Sequence, residues 1–570
     1  LVAGGIRNSY DFAFDRRGEL FTYDSDMEWD MGAPWYRPTR VNHITAGAEL
    51  GWRSGWAKWP EYYLDSLPAA VQLGAGSPTG VEFYEHQKFP AKYQGAMFGC
   101  DWSTGHIYCV RLDPAGATYR GKTEAFIAGK PLNATDIAVG DEGALYFCTG
   151  GRGTDGGIYR VRWTGELPAT NDDSLSGIDQ ALRQPQLDAD WARAKIATVK
   201  ADLAESWAAT VTAVAQDPHR DLADRLRALD LMVFFGPAPT DLLLLELSQD
   251  SSGEVRSQAA RLMFASGSSS IHERLEALLT DAEPVVRRLA CESLLRQGMP
   301  ITAELLVNLL ADKDRFVAFA ARRALEKQPP QSWAQLVLDH SDLNVFCRGA
   351  VPLLACSRDP GAALAILNRC QSVLHEPAAA KNSQRLDLLR VVQLALELGK
   401  VPAAELPELG NILLANYPSG DPQSDRELVR LLVHLQVPGS AERFASQLAL
   451  GLPYAEKLHL AAYAALLQQG WTIDSKLAFM RFFEEARTVQ AGYSVSAYVE
   501  NFARDFFTNF SLAERQQVLA SGERWPAASL SVLAKLPPQP PAELLGVLRT
   551  LDGRVQPLCS QGDAFRRLRV

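Results

Sequence analysis

The stretch YDFAFDRRGELFTYD (residues 10–24) returns 125 residues later as TDIAVGDEGALYFCT (135–149). The offset matches Asp11 with Asp136, Ala13 with Ala138, Gly18 with Gly143 and Leu20 with Leu145. Each copy alternates apolar and polar residues, breaks at a D-x-x-G-type turn, and resumes as an aromatic strand, so both read as β-structure. Between them TGVEFYEHQKFPAKYQGAMFGCDWSTGHIYCVRL (79–112) supplies another strand, loop, strand, turn and strand.

Units of this kind at a period of several tens of residues are what propeller blades look like in sequence. The chain up to about Trp163 is therefore expected to be the all-β, C-terminal part of a propeller of about three blades. Three blades cannot close a ring, so the remaining blades are expected before Leu1 and the chain is read as a fragment. The expected domains are 1–164 for the partial propeller, 165–190 for a polar linker, 191–550 for a helical solenoid and 551–570 for a tail.

After the linker the period changes. DSSGEVRSQAARLMFASG (250–267), DAEPVVRRLACESLLRQG (281–298) and DKDRFVAFAARRALEKQ (312–328) are offset by 31, with Asp250, Asp281 and Asp312 in register. Val255, Val286, Val317 and Ala259, Ala290, Ala321 follow the same offset, and HSDLNVFCRGAVPLL (340–354) is a fourth, looser copy. These segments resemble HEAT repeats, which stack helix pairs into a solenoid whose long concave face docks other proteins. Each repeat Asp is expected to cap the second helix of its pair, with Val and Ala packed and the Arg face in water.

Composition excludes several classes. A net charge of -10 over 570 residues provides no basic stripe for phosphates, so nucleic acid and anionic membranes are not expected partners. No apolar run reaches the roughly 18 residues that cross a bilayer. None of the eight cysteines forms a CxxC pair, so zinc ribbons and a CxxCH haem attachment are excluded within this sequence. Cys100 and Cys109 flank a turn at Thr104-Gly105 and are expected to be cross-strand partners, either as a disulfide or as buried thiols. No GxSxG, HExxH, P-loop or dinucleotide fingerprint is present.

Two stretches carry candidate chemistry. In FTYDSDMEWDMGAPWYRP (21–38), Asp24, Asp26, Glu28 and Asp30 alternate. At strand spacing they share a face and could converge on a hard cation such as Ca²⁺; the alternative is a solvated edge. Arg7 and Asn8 directly precede an inner strand, where side chains reach a propeller's central channel. His43 and His106 could line the same mouth.

GIRNSYDFAFDRRGELFTYDSD, RVNHITAGAELGWRSG (40–55) and GSPTGVEFY (76–84) resemble the soluble glucose/sorbosone dehydrogenase propeller, which binds pyrroloquinoline quinone and Ca²⁺. YDSDMEWD, PWYRPTRVNH, DWSTGHIY and GGRGTDGGIYRVRW resemble the propeller of membrane-bound-dehydrogenase-type proteins. In that extracytoplasmic family HEAT repeats follow, and then a PVC-type haem-binding CxxCH domain. The resemblance implies a ligand contact for Arg7 and ligand-lining roles for Asn8, Asn42, Trp52 and Thr79. It also implies a periplasmic or extracytoplasmic location, and oxidation of a sugar or alcohol with electrons passing to haem c in a domain outside this chain. One motif departs: the quinone enzymes' R-x-R-D reads Asn133-Ala134-Thr135-Asp136 here, keeping only the Asp and losing two positive charges. The family's catalytic His would precede Leu1. The alternative reading is a non-catalytic propeller that binds carbohydrate or protein, with the HEAT array as an interaction scaffold.

Overall fold

The computed structural model describes residues 2–25, 28–166, 175–376, 381–402, 405–486, 489, 491–520, 524 and 542. They fall into two compact units, Leu1–Asp26 with Pro38–Arg358, and Met27–Arg37 with Asp359–Val570. This division does not coincide with the change from strands to helices.

The first unit begins with β1 (Ala3–Gly4), β2 (Phe12–Phe14), β3 (Leu20–Asp24), β4 (Thr39–Ile44), β5 (Ala48–Glu49) and β6 (Val71–Gly74). Strands β2-β3-β4-β6 form an antiparallel sheet, and β1 pairs with β5 in parallel. A second sheet contains β7 (Pro78–Tyr84), β8 (Ala96–Asp101), β9 (His106–Ala115) and β10 (Thr118–Ala128). A third contains β11 (Ala134–Val139), β12 (Leu145–Gly151) and β13 (Thr154–Val161).

Period-2 alternation sends Phe21, Tyr23 and Val41 to one side of the first sheet, where they bury against Val81, Phe83, Met97 and Val110 of the second. The second sheet's other face packs Phe98, Cys100, Ile107 and Cys109 on Ala134, Ile137, Leu145 and Phe147 of the third. The innermost strands are tied in series. Asp11 accepts the Val81 N–H at 3.0 Å, and the Thr79 hydroxyl donates to the Ala134 carbonyl at 2.8 Å. Three sheets stacked face to face around adjacent inner strands are propeller blades, as the 125-residue repeat predicts.

The cysteine hairpin has a different register from the expected one. Cys100 lies opposite Ile107 and Cys109 opposite Phe98, so the two are diagonal, and both are buried free thiols. The cause is Asp101, whose Oδ1 accepts the N–H groups of Ser77, Ser103 and Thr104 at 3.0 Å each and closes a longer turn.

Helices follow from Ile178. The repeat aspartates do not cap: the N-cap positions are Ser252, Glu283 and Asp314, two residues later. Asp281 accepts the Glu283 N–H at 2.9 Å and also takes both ends of the Arg256 guanidinium at 2.8 Å. Arg225 reaches Asp250 through Nη2 and Arg287 reaches Asp312 through Nε, so an arginine of each repeat is bonded to the aspartate of the next. The in-register acids are rungs of a ladder between repeats.

The expected wet arginine face is also corrected, because it meets the chain's own strands. Arg288 of the Pro284–Gln297 helix has a side chain only 1 % exposed and donates to Glu19 and Glu292. Glu19 is 2.9 Å from His43 Nε2, and His43 Nδ1 is 3.0 Å from the Thr118 hydroxyl. The His43 ring lies between Phe21 and Phe316, at 5.0 and 5.8 Å. Burial would raise the Glu19 carboxyl, but the Arg288 charge and His43 hold it well below the usual carboxylate range. Nearby, Asp314 caps the Arg315–Leu325 helix and accepts the Ala117 N–H at 2.7 Å. It sits so close to Gly116 (φ +66°) that a Cβ there would overlap it.

In the second unit the Glu28–Asp30 turn packs on the Tyr493–Phe506 helix. Trp29 meets Tyr493 at 5.7 Å, Trp35 meets Tyr498 at 5.0 Å, and the Gly492 N–H donates to Met31 at 2.7 Å. Its helices run from Pro360–His375 to Leu512–Ala520, with Phe479, Phe483 and Phe506 among the buried aromatics. Cys559 and the tail 551–570 lie outside the described residues.

Between strands and helices, buried Gln186 donates to Glu82 at 3.0 Å and to the Phe83 carbonyl at 2.7 Å. Burial pushes the Glu82 carboxyl up to about 8. Its unfolded value is near 4.5, so between those values the folded state holds a proton that the unfolded state has lost. Stability relative to Glu82→Gln is therefore expected to be greatest below pH 4.5 and to fall by roughly 3–5 kcal/mol as pH rises to about 8. Urea midpoints of both proteins across that range check it; parallel profiles would contradict it.

Candidate functional site

The face of the first sheet opposite its core is polar. Thr22 and Asp24 of β3 lie across from Asn42 and Arg40 of β4. All four are buried. Alternation places them there: the same strands that send Phe21, Tyr23 and Val41 to the core turn these residues the other way.

Asp24 organises the site. Its Oδ1 accepts the Asn8 N–H at 2.9 Å and the Ser9 hydroxyl at 3.2 Å, its Oδ2 accepts the Arg7 N–H at 3.2 Å, and Arg40 stands 3.8 Å away. The carboxyl thus pins the segment that leads into the inner strand β2. Burial raises its pKa above the ordinary value, against the opposing pull of Arg40 and the three donors. Arg7 itself donates to the Ser25 hydroxyl at 3.0 Å, and Asn8 is exposed.

Asn42 has no solvent exposure, and neither its amide oxygen nor its amide nitrogen has a hydrogen-bond partner. Arg40 Nη1, two residues away on the same face, is buried without a partner too. Three unmet polar groups on one strand face are an exception to the rule that buried polar atoms are paired. Trp52 donates its backbone N–H to Gly5 at 2.8 Å, and its buried indole N–H is also unmatched.

The structure brings Arg7, Asn8, Asp24 and Asn42 to one sheet, and Trp52 follows the β5 strand that pairs with β1. Thr79 belongs to the second sheet, where its hydroxyl joins two blades. His43 lies on the core side, in the Glu19–Arg288 cluster, away from the polar face. His106 stacks on Tyr108 at 5.3 Å. Arg40 is also part of the site; its i–2 spacing from Asn42 is the sequence signal for it.

The β-strand alternation on which the four acids were placed stops at Asp24. Asp24 ends β3 in the first unit, whereas Asp30 closes a turn in the second. Asp26 and the Glu28 side chain lie outside the described residues. Among the described residues no group of three Asp, Glu, His or Cys side chains is placed to hold a metal. Asp24 does not fit a cation, since its oxygens already accept three donors and face a guanidinium. An anionic quinone finds no cation in the Asn133–Thr135 segment either: Asn133 donates to the Trp102 carbonyl at 2.8 Å and Thr135 to the Cys148 carbonyl at 3.2 Å.

Comparisons with known proteins give one family match, HEAT repeats, over residues 240–326. Among solved structures, a glucose dehydrogenase is 18 % identical and covers 29 % of this chain and 47 % of its own, with a TM-score of 0.24. Kap121p is 12 % identical, covering 68 % of this chain and 52 % of its own, with a TM-score of 0.35. Human deoxyhypusine hydroxylase in complex with glycerol is 18 % identical, covering 53 % and 96 %, with a TM-score of 0.18. The chain spans about half the length of the glucose dehydrogenase structures that it matches. No curated protein matches it.

Replacing Asp24 with alanine would free the Arg7 and Asn8 N–H groups and leave Arg40 buried without its acid. The expected loss is about 3–5 kcal/mol of stability, the scale for breaking a buried ion pair, measured by urea denaturation. A variant as stable as the wild type would contradict this role.

Proposed function

We propose that the chain is the propeller-and-scaffold part of a sugar- or alcohol-dehydrogenase-like protein. In this reading the polar face of the first sheet binds a hydroxyl-rich small molecule, and the HEAT array carries protein contacts. The observation that supports it is the Asn42 amide, buried and unbonded beside Arg40 Nη1. A buried amide left unpaired costs about 1–3 kcal/mol. A ligand hydroxyl can both donate to the amide oxygen and accept from the amide nitrogen, which suits a sugar or polyol better than a purely anionic or purely apolar group. The extracytoplasmic location and the passage of electrons to a haem c domain outside this chain belong to the same proposal and rest on the sequence resemblance. Ca²⁺ at the acid stretch would have to rely on Asp26 and Glu28 rather than Asp24.

A second reading, a binding propeller without catalysis, is favoured by one specific feature. The titratable group of the site, Asp24, is buried and saturated with donors, so it is not positioned to move a substrate proton. Both readings share the ligand.

Titration calorimetry of the folded chain with glucose, sorbitol and glycerol tests it. At least one is expected to bind saturably, and Asn42→Ala to weaken it about tenfold, the equivalent of one lost hydrogen bond. Equal affinity in wild type and variant, or no saturable heat with any of the three, would contradict the proposal.

A further inference from the structure

A second polar site lies at the seam between the blades and the first helices, within the first unit and away from Asn42. A cleft of about 570 Å³ opens there, and an adjoining one of about 430 Å³ shares Gln87, Arg183, Gln184 and Pro185 with it. These volumes are in the range of small-molecule sites. Four guanidiniums line the larger cleft and come from three separate elements. Arg16 and Arg17 form the turn between β2 and β3, Arg183 follows the Ile178–Leu182 helix, and Arg227 lies on the Leu222–Phe235 helix.

Each arginine is held by carboxylates, Arg183 by both Asp221 at 3.7 Å and Asp224, and Arg227 by Glu85 with Asp230 nearby. Arg16 Nη2 donates to the Glu85 carbonyl at 3.2 Å and its Nε is 3.5 Å from the Glu85 carboxylate. Arg17 Nε donates to Glu254 at 3.0 Å, Arg183 Nη2 to Asp224 at 3.4 Å and Arg227 Nη2 to Glu85 at 3.4 Å. None of these hydrogen bonds uses Nη1, so all four side chains are oriented by a carboxylate and retain donors. Of these acids Asp224 also faces Arg220 at 3.8 Å, Glu85 is shared by Arg16 and Arg227, and a fourth lining acid, Asp230, faces Arg261 at 3.6 Å. The Arg16, Arg17 and Arg183 side chains are 53 %, 42 % and 44 % exposed, so a ligand meets them solvated and accessible.

We infer that this cleft binds a small polyanion, whose carboxylate or phosphate oxygens accept from the free guanidinium edges of Arg16, Arg17, Arg183 and Arg227. A planar, pre-oriented fork recognises such oxygens two at a time, and several forks around one cavity select a ligand with more than one acid group. The inference does not depend on the sugar site, since the two share no residue.

The test is calorimetry with pyrophosphate and with citrate at constant ionic strength, on the wild type, on Arg16→Gln/Arg183→Gln and on Asn42→Ala. Saturable binding of either anion is expected, weakened at least tenfold in the double variant and unchanged in Asn42→Ala. Tighter pyrophosphate binding assigns a phosphate ligand, and tighter citrate binding a carboxylate one. Should the double variant melt at a lower temperature without ligand, Arg16→Gln alone is compared, with at least a threefold loss expected. Absence of saturable heat with both anions up to about 10 mM, the weak end of specific affinity, would overturn the inference. So would equal affinity in wild type and the arginine variants.

Discussion

Arg288 cannot be buried alone. A guanidinium 1 % exposed requires opposing charge within reach, and the chain supplies Glu292 from the same helix and Glu19 from the turn of the first blade. Because Glu19 and Arg288 are 269 residues apart, their bond ties strands to helices. Most of the first unit follows from this link. His43 completes the Glu19 carboxylate, Phe316 covers His43, and the adjoining Arg315–Leu325 helix donates through Arg315 to the Tyr63 and Ser66 carbonyls. Over these helices the side bearing Arg288, Asp314 and Arg315 is occupied by the chain's own strands and loops. Buried ion pairs are weak contributors to net stability but strong specifiers of who meets whom, because either partner left alone is costly.

The same logic acts along the solenoid. The Arg–Asp rungs repeat every 31 residues because each repeat must present an acid to its predecessor and an arginine to its successor. Propeller blades use hydrogen bonds from Asp11 and Thr79 for the equivalent purpose. Two kinds of stacked repeat therefore meet along one seam, and that seam creates the arginine-lined cleft.

Much of this was legible in the sequence. The 125-residue echo and the 31-residue register located both repeat systems, because alternation and helical spacing depend on the chain alone. What escaped depends on long-range partners. Asp250, Asp281 and Asp312 look like helix caps until the arginine 25 residues earlier is seen to reach them. The Cys100–Cys109 register shifted because Asp101 gathers three backbone donors, one of them from Ser77. The alternating acids read as one face because strand geometry was extended beyond Asp24, where the strand in fact ends. In the site, Asn42 was identified through a resemblance, whereas the importance of Arg40 emerged only from burial. The Thr79 hydroxyl bonds to the Ala134 carbonyl of the next blade, a partner 55 residues away that the sequence does not display.

The most direct measurement is a double-mutant cycle between Glu19→Gln and Arg288→Met, followed by urea unfolding with probes in both strands and helices. The account predicts that each single change costs about 3–5 kcal/mol, that the double change costs far less than their sum, and that strands and helices unfold together in the wild type. Additive effects, or helices that unfold independently of the blades with Arg288 in place, would contradict it.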